Sequence, residues 1–162
     1  MVGAKLRQVL RLIAHETGFL KQHATGPFKI NMPGATQRAV DWYKRGLTDK
    51  FYPIRPDLVN ELVGILQKEV TALVEEGVSY IQLDSLRYVI QIGDAGHRQL
   101  MIDAGEDIER EMDETIAADN ATIKEAREAG VTIGLHKCRG DNRSAWGARG
   151  TANPSQRRPS AP

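Results

Sequence analysis

A single cysteine, Cys138, in a chain of 162 residues excludes an internal disulfide framework and suits a reducing compartment. Neither sign of charge is in surplus. The 22 Lys and Arg against 21 Asp and Glu leave a formal net charge of +1, so the overall balance gives no electrostatic footprint for nucleic acid or an anionic membrane. No run approaches the ~18 uninterrupted apolar residues of a membrane span, and the opening Met-Val-Gly-Ala-Lys-Leu-Arg-Gln has no apolar signal core. A cytoplasmic protein without nucleic-acid or membrane partners is the expectation. Aromatics are 6% of the chain, and their one basic cluster, Trp42-Tyr43-Lys44-Arg45-Gly46, suits a packed loop better than a nucleic-acid contact. Gly93-Asp94-Ala95-Gly96 lacks the lysine that a phosphate loop would need.

The chain does contain an alternation of two kinds of segment. Residues 28–32, 79–83 and 131–135 are short, apolar and bounded by turn formers, which predicts three strands. Between them the spacing of apolar residues turns helical. From Asp57 to Glu76, Leu58, Leu62, Ile65, Leu66, Val70, Leu73 and Val74 fall on one stripe, started by Pro56-Asp57 and stopped by Gly77. A second helix is expected from about Gly105 to Ala129, with a thinner stripe of Ile108, Met112, Ile116 and Ile123. Its acidic run from Glu106 to Glu114 reads as a solvated face. Residues 2–23 predict a third helix through Leu6, Val9, Leu10, Ile13 and Phe19. Strands joined by such crossovers lie parallel, so the chain reads as an α/β fold, either an open doubly wound sheet or part of a (β/α)8 TIM barrel. A complete barrel needs about 250 residues.

In both architectures active groups gather at the carboxyl ends of strands. The second predicted strand ends in Asp84, and the third runs into His136-Lys137-Cys138-Arg139-Gly140. Residues two apart in an extended segment point the same way, so His136 and Cys138 could form half of a zinc site. Asp84 could hold a substrate ammonium or simply cap a turn, and a lone His-x-Cys pair is often no metal site at all.

The runs Gly77-Val-Ser-Tyr-Ile-Gln-Leu-Asp84 and Val131-Thr-Ile-Gly-Leu-His136-Lys-Cys138-Arg-Gly resemble the C-terminal catalytic barrel of cobalamin-independent methionine synthase and its single-barrel relatives. Gly26-Pro-Phe-Lys-Ile-Asn-Met-Pro33 resembles the strand that leads to a proline-containing loop in those proteins. The resemblance covers roughly residues 17–147. It implies a zinc-dependent methyltransferase that passes a methyl group from the folate 5-methyltetrahydropteroyltriglutamate to homocysteine. His136 and Cys138 would be zinc ligands and Asp84 would bind the substrate amino group. The chain departs from the family in having Ser85 where a second acidic residue is usual and Asp141 where relatives have Asn. The family's remaining ligands, a glutamate and a second cysteine, belong to later strands.

The sequence therefore predicts a partial barrel domain over residues 1–147, with about three parallel strands, and a polar, Pro-rich, disordered tail over 148–162. A frameshift in a longer barrel gene would produce such a tail. Three strands of a barrel would leave open edges and an apolar inner face, favouring self-association and an inactive or incomplete enzyme. Two other readings remain: a related alkyl transferase of the epoxyalkane to coenzyme M type, and a noncatalytic fragment.

Overall fold

The computed structural model describes residues 1–137, so Cys138, Asp141 and the tail over 148–162 lie outside the described residues. Strands β1 (Ile30–Pro33), β2 (Tyr80–Asp84) and β3 (Thr132–His136) form one parallel sheet in the order β1-β2-β3. Helix α1 (Ala14–His23) precedes β1. Helices α2 (Ala35–Trp42) and α3 (Arg55–Glu75) join β1 to β2, and α4 (Ala95–Asp103) and α5 (Ile108–Glu128) join β2 to β3. This is an α/β arrangement. Among the described residues no helix is long and apolar enough to cross a membrane.

The register explains which face of the sheet is covered. Ile30 pairs with Ile81 and Ile81 with Ile133; two steps on, Met32, Leu83 and Leu135 make a second row. Ile30, Met32, Ile81 and Leu83 are buried and join one core cluster with Leu58, Leu62, Leu66, Val70 and Leu73 of α3 and Ala118, Ile123 and Ala126 of α5. Each fully buried Leu or Ile stabilises by roughly 1.5–3 kcal/mol. The alternate residues Asn31, Tyr80, Gln82, Asp84, Thr132 and His136 lie on the opposite face, half-buried or exposed. That face is polar rather than apolar, contrary to expectation, because strand alternation has given the apolar side to the helices.

Helix α3 follows its stripe closely. Asp57 Oδ2 accepts from the backbone N–H of Ile54 at 3.3 Å. Pro56 occupies the first turn, and Gly77, at φ 77°, turns the chain out of the helix. Helix α5 follows its predicted stripe only in part: Ile108 and Ile123 are buried, but Ile116 is 42% exposed, and Glu111, Thr115, Ala118, Asp119, Thr122 and Ala126 fill the rest of the buried face. Small and polar side chains let α5 approach α3 and α2. Glu111 is consequently no part of a solvated face.

The N-terminal segment is the largest departure. Helix α1 begins only at Ala14, and residues 1–13 form an irregular strap. Val9, Leu10 and Phe19, placed on the predicted apolar stripe, are 75%, 80% and 57% exposed. A buried carboxylate fixes the strap instead. Glu69 of α3 accepts from Arg11 Nη2 at 2.9 Å, Leu12 N at 2.8 Å and Ile13 N at 3.2 Å. These long-range bonds satisfy strap amides that a helix would have used internally.

Candidate functional site

The carboxyl ends of all three strands are held level by the backbone. Gly34 N donates to Asp84 O at 3.0 Å, and Ser85 N donates to His136 O at 3.1 Å. Asp84 and His136 are register partners on neighbouring strands, so their side chains leave the same polar face side by side. His136 is exposed and Asp84 half-buried. The structure thus brings together two of the three residues singled out from the sequence. Cys138, the third, is beyond the described residues.

Three residues of the same face were missed by sequence reasoning. Gln82 Nε2 donates to Asp84 Oδ1 at 2.7 Å, and Lys29 Nζ donates to Gln82 Oε1 at 2.8 Å. Tyr80 lies two positions before Gln82, with Lys29 Nζ 6.0 Å from its ring centroid. The signal was available: Tyr80, Gln82 and Asp84 alternate along one strand and must share a face. Asp84 is therefore held by a side-chain amide and is not the cap of a turn. The capping role belongs to Asp94, whose Oδ1 accepts from His97 N at 2.9 Å and starts α4.

The segment after Asp84 is tied to α5 by two polar contacts, one buried and one partly buried. Arg87, 5% exposed, donates to Glu111 Oε2 at 2.7 Å, and Arg55 pairs with the other oxygen of that carboxylate. Burial alone would raise the Glu111 carboxyl, but Arg55 and Arg87 hold it below its ordinary value. Burial in turn lowers Arg87, against the pull of Glu111. Tyr88 donates its hydroxyl to Asp119 Oδ2 at 2.9 Å. Burial pushes the Asp119 carboxyl up to about 6, partly opposed by that bond, and burial together with the Asp119 charge raises the Tyr88 hydroxyl. The other oxygen, Asp119 Oδ1, and Ser85 Oγ are buried without a hydrogen-bond partner among the described residues.

A tetrahedral zinc needs four donors. Among the described residues no group of three or more His, Cys, Asp and Glu side chains is placed to hold a metal. Those residues supply one imidazole at the mouth of the site, with a carboxylate beside it, and do not by themselves fit a closed zinc centre. Their arrangement can hold a cationic group at Asp84 and offer a donor nitrogen next to it. Comparison with protein-family models, curated proteins and solved structures gives no match for this chain.

Proposed function

We propose that the chain is part of a (β/α)8 barrel of the cobalamin-independent methionine synthase type, whose strand-end site serves zinc-dependent methyl transfer from a methylated folate to homocysteine. One observation carries the reading: Asp84 and His136 are direct register partners at adjacent strand ends, on one polar face. The parallel order β1-β2-β3 with helices between the strands is compatible with a barrel segment. In this reading Asp84 holds the substrate ammonium, oriented by Gln82, and places the thiol end of the molecule toward His136. Zinc, when bound, would lower the thiol pKa so that a thiolate is available near neutral pH. His136 and Cys138 would be this chain's donors, the remainder coming from another chain, water or the substrate.

A sulfonate thiol, as in the epoxyalkane to coenzyme M type, is disfavoured by the Asp84 carboxylate at the strand ends. Lys29, the cation on this face, is engaged by Gln82. A noncatalytic fragment is favoured by a different observation: β1 and β3 each have one edge without a strand partner among the described residues.

Metal analysis and chelator competition on the purified chain, beside His136→Ala and Cys138→Ala, test the proposal. Stoichiometric zinc lost in both variants, with homocysteine-dependent methyl transfer by the parent, supports it. Failure of the parent to retain zinc or transfer methyl groups leaves the noncatalytic reading.

A further inference from the structure

The polar face of the sheet carries a directed hydrogen-bond chain that crosses from the start of β1 to β2 and ends at the carboxyl end of β2. Lys29, one residue before β1, donates to Gln82 Oε1 at 2.8 Å, and Gln82 Nε2 donates to Asp84 Oδ1 at 2.7 Å. The two ends of an amide are easily exchanged by a flip, and here chemistry fixes which way it points. An ammonium has three donors and no acceptor, so the oxygen of Gln82 must face Lys29. The amide nitrogen is then turned to Asp84, which has to accept.

The geometry points to Lys29 as a positioning residue for the strand-end site: acting through Gln82, it holds the Asp84 group as an acceptor with one oxygen committed, and so selects a ligand that brings a cation. Without Lys29 the amide loses the partner that fixes its other end, and Gln82 is free to swing away from Asp84 into solvent. The ammonium-bearing thiol as ligand rests on the methyl-transfer reading above. The relay itself rests only on the two hydrogen bonds.

The test uses the full chain and its Lys29→Met and Lys29→Arg variants. Two quantities are read: the side-chain amide NMR resonances of Gln82 in the free protein, and the affinities for homocysteine and for the same thiol acid lacking the amino group. Lys29→Met should move the Gln82 amide pair toward the position of a solvated amide. It should also weaken homocysteine binding roughly fivefold, as expected for loss of one charge-assisted hydrogen bond, and leave the deaminated thiol unaffected. Lys29→Arg, again a pure donor, should restore both. Unmoved amide resonances together with an unchanged ratio of the two affinities in Lys29→Met would overturn the relay. If the parent chain binds neither thiol, the methyl-transfer reading fails, and the amide resonances alone decide: a shifted pair upholds the relay and an unshifted pair rejects it.

Discussion

The ring of Tyr80 lies against Gly134 on the neighbouring strand, so closely that a β-carbon at Gly134 would sit 2.6 Å from the Tyr80 hydroxyl oxygen and 2.8 Å from Cε2. The direct register partner of Tyr80 is Thr132, so the ring leans diagonally toward the carboxyl ends of the strands and toward His136. The glycine is present for space: a bare backbone lets the ring approach.

Two glycines should therefore respond to alanine with opposite signs. Gly64, inside α3, has nothing within 4 Å of its added β-carbon, so Gly64→Ala should stabilise the protein by about 0.5–1 kcal/mol through lost unfolded-state freedom. Gly134→Ala gains the same entropic term but must displace the Tyr80 ring, and should destabilise by about 1 kcal/mol. Urea unfolding of both variants decides the matter. A stabilising Gly134→Ala would mean that the ring moves aside at no cost.

Asp119 should make the protein less stable as pH rises, the reverse of the usual carboxylate. Its folded-state value of about 6 lies above the ordinary 3.8, so the folded chain binds the proton more tightly than the unfolded one. Below about pH 4 both states are protonated and there is no penalty. Between pH 4 and 6 the penalty builds, reaching about 3 kcal/mol above the folded value. Asp119→Asn keeps an acceptor for Tyr88 and removes the charge. It should raise stability at pH 7.5 by about 1–3 kcal/mol and have little effect at pH 4. Equal effects of the substitution at both pH values would contradict this.

What the sequence disclosed and what it concealed divide along local and long-range lines. The three strands were legible to within two residues because each is a short apolar run closed by turn formers, and α3 because its stripe repeats over 21 residues. Helix α4 was hidden, since it buries no residue and so has no apolar period. Helix α2 was hidden by its eight-residue length. The strap failed for the opposite reason: its apolar spacing is helical, but Glu69, 56 residues after Ile13, takes the amides of Leu12 and Ile13. The clue was a glutamate within the buried stripe of α3. At the site, Asp84 and His136 were legible from strand-end position, whereas the support of Asp84 by Gln82 and Lys29 depends on pairing between strands, and no single segment records that pairing.

Glu111 stands between two guanidiniums, and this makes its replacement costlier than that of either partner. Removing Arg87 leaves the carboxylate paired with Arg55, whereas removing Glu111 leaves Arg87, 5% exposed, with its main anion gone. Glu111→Leu should therefore cost about 3–5 kcal/mol and Arg87→Met clearly less, with the double variant recovering part of the loss. The pH sign is the usual one. A carboxyl held below its ordinary value contributes stability above the unfolded range that is lost as pH falls through the lowered folded value. A double-mutant cycle by urea unfolding at pH 7 measures the coupling. Additive single effects would show that the pair is no interacting unit.

The Glu69 cluster makes the strongest prediction about local order. Glu69 is fully buried and its two oxygens serve Arg11, Leu12 N, Ile13 N and Gln8, while Arg11 also pairs with Glu76 and holds that carboxyl below its ordinary value. Glu69→Ala leaves these donors without their acceptor, and strap residues 8–13 then keep the Arg11 to Glu76 ion pair and the packing of Ile13 as anchors. The loss should be about 3–5 kcal/mol if the strap stays folded over the core, and smaller if it peels away and its amides are hydrated. The two cases are separable. Tryptic cleavage after Arg7 and Arg11 should accelerate strongly in Glu69→Ala while the sheet core remains resistant, because local opening of the strap does not require global unfolding. A cleavage rate at these two arginines equal to that of the parent would show that the strap is held by Val2, Leu6 and Ile13 packing, and that the buried carboxylate is dispensable.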